Sequence, residues 1–185
     1  MMDATYGDHG PISKILLGWI TPLVVTGSAT VDLTPYAEAG ETLLLIDEWN
    51  GTIFDEYLLL IFYTPEGLNE KDALYWFTTP GIVIYHVDAR IGNGYLEDSA
   101  YYTIFDYNNT DTTHKFVQLL EADADSTIES TGWTENEDLF QTGAVLGAQA
   151  VYPVAWYQIE RNPLDFVLTV GTLGETASLA VAFPE

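Results

Sequence analysis

Three histidines, His9, His86 and His114, are the side chains best suited to metal or proton chemistry in this sequence, and no cysteine accompanies them. A catalytic zinc site takes three protein ligands in fixed geometry, commonly two histidines four residues apart on one helix. None of the three histidines has such a partner, and the chain contains no HExxH. A zinc centre built from these residues would need convergence from distant parts of the chain. The histidines therefore give no expectation of a self-contained zinc site. His86 reads as a sheet residue whose ring bonds to a neighbour such as Asp88. No GxSxG occurs, so no serine nucleophile is signalled. The pairs Asp47-Glu48 and Asp55-Glu56 flank a turn and read as solvated charge. A glycosidase pair stays open, because its two carboxylates can be distant in sequence.

Oxygen donors are plentiful. Asp106, Asn108 and Asp111 lie in one polar loop, and Glu121, Asp123 and Asp125 share a face if their strand continues that far. Such clusters suit calcium. The loop lacks the glycine and distal glutamate of an EF-hand, and 28 acidic residues make close groupings frequent by chance.

Those 28 acids face 5 basic residues, a net charge of −23 across 185 residues. This excess repels phosphates and argues against nucleic acid and anionic membrane surfaces as partners. Hydrophobic residues make up 48% of the chain, enough for a globular core. No apolar run approaches the roughly 20 residues of a membrane helix, so membrane insertion is not expected. No basic region followed by an apolar core marks a signal peptide. The absence of cysteine excludes disulfides and thiolate metal sites.

Positioning these residues falls to one helix and many strands. Gly10 and Pro11 open a helix in which Ile12, Ile15, Leu16 and Trp19 form one apolar stripe, with Lys14 opposite. Thr21-Pro22 is expected to stop it. Short strands follow at Leu23–Thr26 and Ala29–Thr34 around Gly27-Ser28. Thr42–Asp47 and Tyr57–Tyr63 flank an Asn-Gly turn, and LLLIFY, apolar on both faces, reads as a central strand. Thr64–Pro80 is a loop whose Tyr75-Trp76-Phe77 cluster should cover a sheet edge. In Gly81–Ile91, Ile82, Ile84, His86 and Asp88 share one face. Gly92-Asn93-Gly94 reads as a turn, Tyr101–Tyr107 and Lys115–Ala122 as strands, and Glu137–Gly143 as a short helix or turn. Strands near Val154–Ile159, Leu164–Val170 and Ala177–Phe183 close the chain, with a turn at Gly171–Gly174. The fold class expected is mainly β, antiparallel and sandwich-like, with one N-terminal amphipathic helix. No composition break divides it, so residues 1–185 read as a single domain.

Several blocks carry a resemblance. MMD, GDH and SKILLGWI near the start, then DEYLLLIFYTPEGLN, GIVIYHVDARI, HKFVQLLEADAD and DLFQTG, follow one another in this order. They resemble the part of secreted metallopeptidases of the immune inhibitor A family that follows the zinc helix. The likeness covers most of the chain and loosens after about Gly147. It implies that residues 1–22 are a Met-turn-like segment plus a helix from the end of a catalytic domain, and residues 23–185 a β-rich module. It implies that Met2 and Asp3 sit in the Met-turn, with Asp8 and His9 beneath or beside the zinc of the parent. Capping the helix explains Asp8 and His9 equally well. Zinc, the HExxH, a peptide or protein substrate and a bacterial, secreted location would belong to that parent, whose N-terminal catalytic half is the implied partner. The chain alone would be inactive. The competing readings are a carbohydrate- or peptide-binding sandwich that uses Trp49, Trp76 and Trp133, and a purely structural module.

Overall fold

The computed structural model describes residues 8–70, 77–95, 101–110, 114–123, 125, 127–147 and 166–183. Apolar runs of three to eight residues build two principal sheets. The larger holds β1 (Leu23–Val25), β3 (Leu43–Leu45), β4 (Glu56–Tyr63), β5 (Gly81–Asp88) and β8 (Val117–Leu120), in the order β1-β3-β4-β5-β8. The smaller holds β2 (Ala29–Leu33), β9 (Val145–Gly147), β10 (Val167–Leu173) and β11 (Ala177–Ala182), in the order β2-β11-β10-β9. β6 (Ile91–Tyr95) and β7 (Tyr101–Phe105) form a separate hairpin. Every pairing is antiparallel except that of β1 with β3. The fold is mainly β and sandwich-like.

Alternation along the strands decides what each layer covers. Leu58, Leu60, Phe62, Ile82 and Ile84 meet Val31, Leu33, Leu168, Val170 and Leu179 of the smaller sheet in one buried cluster. The opposite face of the larger sheet, with Leu44, Tyr57, Leu59 and Val87, is covered by Ile12 and Ile15 of helix α1 (Pro11–Leu16). Tyr36, from the one-turn helix α2 (Tyr36–Ala39), and Phe77 cover Ile61, Tyr63 and Val83 farther along. With layers on both sides, all eight residues of β4 are buried. That is why its sequence is continuously apolar after Glu56 rather than alternating.

The helix is shorter than its apolar stripe predicts. Gly18, at φ +70°, closes it: its N–H bonds to Ile15 O at 2.9 Å, and the Trp19 N–H bonds to Lys14 O at 2.8 Å. This is a Schellman cap, which needs a residue at ease in the left-handed region. The chain turns away three residues before Thr21-Pro22. Ile12 and Ile15 stay buried, whereas Leu16 is 43% and Trp19 57% exposed. Trp19 instead meets the His9 ring edge-on, with centroids 5.4 Å apart. Lys14 is not idle: its Nζ pairs with Asp8 and lies 4.3 Å from the centre of the Tyr36 ring.

β1 and β2, the strands expected on either side of Gly27-Ser28, go to different sheets. Two other local expectations change. Gly92-Asn93-Gly94 is part of β6, and a Cβ at Gly92 would come within 2.1 Å of Asp106 Oδ1, so close approach of that side chain explains the glycine there. β10 runs through Gly171 to Leu173, which moves the turn to Gly174-Glu175-Thr176. The strand expected near Val154–Ile159 lies outside the described residues, as do Tyr75 and Trp76.

The buried face of α1 is tested by Ile15→Ala and Trp19→Ala in urea titrations. Ile15→Ala should cost about 2–5 kcal/mol, and Trp19→Ala less than about 1 kcal/mol. The reverse ranking would mean that the helix packs through its other side.

Candidate functional site

Two groups of polar side chains stand out against this apolar frame. The first closes one end of the sandwich core. Glu56 opens β4 and Asp88 ends β5, and the two are register partners. Both carboxylates face the interior and are buried, as is His86 between them in sequence and space. His86 Nε2 lies 2.9 Å from Glu56 Oε1. His114 Nε2 lies 2.8 Å from Asp88 Oδ2, and Arg90 Nε donates to Asp88 Oδ1 at 2.8 Å. A second Arg90 nitrogen pairs with Asp88 Oδ2 and reaches within 3.6 Å of Glu56 Oε2. Tyr107 stacks on His114, with ring centroids 4.1 Å apart.

The expectation that His86 bonds Asp88 is therefore replaced. Its partner is Glu56, thirty residues away in sequence. Nor are Asp55 and Glu56 solvated: they are 9% and 1% exposed. The β4–β5 register brings Glu56 opposite Asp88, and Arg90 supplies the cation that makes their burial tolerable. Burial by itself would raise the Asp88 pKa. The Arg90 hydrogen bonds and charge, with the His114 hydrogen bond, outweigh it and hold this carboxyl below its ordinary range. Glu56, Asp88 and His114 offer ligand atoms within 4.8 Å of one another. A metal there would have to displace the Arg90 guanidinium and break the His114 hydrogen bond to Asp88. The arrangement is a buried ion-pair network that fixes the ends of β4 and β5.

The second group lies beyond β8. Glu121, Asp123, Asp125 and Asp138 bring carboxylate oxygens within 4.8 Å of one another. Glu121 Oε1 accepts from Ile128 N at 3.1 Å, at the start of helix α3 (Thr127–Thr131), and Asp123 Oδ1 accepts from Asp125 N at 3.3 Å. Asp138 ends the 3-10 turn Asn136–Asp138, where Asp138 Oδ2 accepts from Glu135 N at 2.7 Å. Asp138 is only 1% exposed, and its other oxygen, Oδ1, has no hydrogen-bond partner. Burial raises its pKa. The Glu135 N–H opposes that shift, and the charges of Asp123, Asp125 and Glu135 add to it. Sequence reading found three of these four acids. It missed Asp138, whose only signal was its place in DLFQTG.

Of the remaining candidates, Asp8 and His9 are described and Met2 and Asp3 lie outside the described residues. Asp8 pairs with Lys14, and its Oδ1 accepts from His9 N at 2.8 Å; His9 O accepts from the Tyr36 hydroxyl at 2.7 Å. Asp106 lies against Gly92, and Asn108 Oδ1 accepts from Thr110 N at 2.8 Å; Asp111 is outside the described residues. Trp49 packs against the α1 side of the large sheet, while Trp133 is 57% exposed.

What these elements define is a mainly β, sandwich-like fold with two buried or half-buried carboxylate clusters at the end and edge of its larger sheet. No known protein family, curated protein or solved structure matches the chain.

The Asp88 network predicts a pH dependence. Its folded-state pKa lies below the unfolded value of about 3.9. Asp88 therefore stabilises the fold at neutral pH, and that contribution disappears as pH falls through the native pKa. Arg90→Met removes the chief favourable partner and leaves burial, which acts in the opposite direction. The stability gap between the parent chain and Arg90→Met should be about 3 kcal/mol or somewhat less at pH 7, the low end for a buried pair, because Arg90 is 33% exposed. The gap should shrink toward about pH 3–4. Denaturant titrations at both pH values check this; a gap independent of pH would mean that Arg90 acts through packing alone.

Proposed function

We propose that this chain is the non-catalytic, β-rich portion that follows the zinc helix in a secreted metallopeptidase resembling immune inhibitor A. One observation carries the reading. The blocks of resemblance, scattered between residues 55 and 143, fold onto one another. The first two contain β4 and β5, the third contains β8 beside them, and the fourth joins β5 through the Ile82–Phe140 bridge. The polar residues inside those blocks are the ones that meet: Glu56, His86, Asp88 and His114 in one network, and Glu121, Asp123, Asp125 and Asp138 in the other. Glu56, His86 and Asp88 of the first network are buried, and Asp138 is the buried member of the second.

The helix that precedes the β-rich module supports the same reading. SKILLGWI buries Ile15 against the sheet yet exposes Leu16, Leu17 and Trp19. Exposed apolar residues grouped in this way mark surfaces that another body covers. In the proposed parent that body is the catalytic half, which holds the HExxH and the zinc. Peptide hydrolysis would then proceed through zinc-activated water, with that motif's glutamate as base. The role of this chain is to complete the wall beside the zinc and to carry the sandwich.

The chain of 185 residues, purified alone, should hold no stoichiometric zinc and cleave no casein. The product of the reading frame extended upstream should contain HExxH and cleave casein in an EDTA-sensitive way. One tight zinc per chain with EDTA-sensitive proteolysis by residues 1–185 alone would overturn the proposal, as would an extended frame without the motif.

A further inference from the structure

We infer that Glu121, Asp123, Asp125 and Asp138 bind one hard divalent cation, calcium, that ties the 121–138 loop to the edge of the larger sheet. This inference does not rest on the peptidase reading.

Four observations lead to it. The donor set is all carboxylate oxygen, with no histidine or thiolate, which suits a hard cation and not zinc. The four oxygens lie within 4.8 Å of one another, the span of a single coordination shell. Magnesium, at about 2.0–2.1 Å, requires a tight octahedron and gives up its waters reluctantly, whereas calcium accepts carboxylates in flexible geometry. The third observation distinguishes this group from an ordinary acidic surface. Asp138 is 1% exposed, part of the cluster, and keeps one carboxylate oxygen without a partner. A buried carboxylate left half-satisfied costs free energy that solvent cannot recover. A cation held jointly with Asp123 and Asp125 supplies the missing partner and relieves the repulsion among them.

The fourth observation is where the ligands sit. Glu121 follows Leu120, the last residue of β8, and Ala122 N donates to Asp138 O at 3.1 Å. Two residues on, Phe140 exchanges both backbone hydrogen bonds with Ile82 of β5, each 3.0 Å long. Among the described residues the intervening loop holds α3 and the Asn136–Asp138 turn, and its acidic side is what the cation would close.

The test uses the full chain, calcium chloride as probe, and calorimetric titration alongside thermal melting at constant ionic strength. Calcium should bind with one-to-one stoichiometry. At a hundredfold excess over its dissociation constant it should raise the melting temperature by about 5–10 °C. Magnesium should give a smaller shift. Asp138→Asn keeps the side-chain shape and an oxygen for the Glu135 N–H. It should weaken calcium binding about tenfold or more, yet in calcium-free buffer melt no lower than the parent chain, because a buried charge has been removed. Asp32→Asn makes the same change of charge at an exposed site on β2 and should leave the response intact. The inference is overturned if calcium leaves the melting curve unchanged. It is equally overturned if Asp138→Asn responds like the parent, or if Asp32→Asn loses as much response as Asp138→Asn, which would indicate diffuse screening of a polyanion. A calcium-free Asp138→Asn that melts well below the parent, with its calcium affinity retained, would assign Asp138 a purely structural role and overturn the inference too.

Discussion

The pairing of β4 with β5 is the constraint from which the rest of the structure follows. Its register runs unbroken from Glu56–Asp88 to Tyr63–Gly81, and layers cover it on both faces. A strand pair buried on both sides has nowhere to send a polar side chain along its length. Its composition is therefore apolar apart from His86 and the end where Glu56 and Asp88 stand opposite each other. Two carboxylates directly across a strand pair repel. Their burial demands a cation and further hydrogen bonds, and Arg90, His86 and His114 supply them. The polar network is thus a consequence of how the core ends, and it fixes the register of the two strands from which everything else is hung.

How far this was legible in the sequence depended on the range of the interaction. Alternation in Gly81–Ile91 identified Ile82, Ile84, His86 and Asp88 as one face, and the apolar run of β4 marked a central strand, because both signals are local. The partner of His86 was not legible. Periodicity says which way a side chain points, but not which distant strand it will meet, so Glu56 looked like turn-flanking charge. Asp138 escaped for the same reason: nothing near it in sequence shows that residues 121–125 fold back on it. The error in α1 was of another kind. Ile12, Ile15, Leu16 and Trp19 fit a helical stripe, but Gly18 offered a Schellman cap, and local backbone chemistry ended the helix before the stripe could complete itself. In Gly92-Asn93-Gly94 the opposite happened. Residues that favour a turn were drawn into a strand, where the Asp106 side chain takes the space a Cβ would fill.

The two carboxylate clusters meet the same physical problem in different ways. In a chain of charge −23 with 5 basic residues, cations are scarce. Arg90 serves two acids at once, and Lys14 serves Asp8 while lying over Tyr36. A guanidinium is suited to the first cluster because its planar fork can address Asp88 twice and still reach Glu56. The second cluster gathers four carboxylates, one of them buried and half-satisfied, an all-oxygen set that a spherical ion fits better than a fork.

β8 shows why both clusters matter to the fold. It is a four-residue edge strand of which only Leu120 is fully buried, so packing alone holds it weakly against β5. Short edge strands of this kind depend on what fastens their ends. His114, three residues before β8, bonds Asp88 at the end of β5. Glu121, immediately after β8, joins the acidic cluster with Asp138, next to the segment that bridges Ile82 near the start of β5. The strand is therefore held at one end by a hydrogen bond internal to the chain. At the other end it adjoins acids whose mutual repulsion works against the contact. The pairing of Leu120 with Ile84 is thus where the acidic loop adjoins the core.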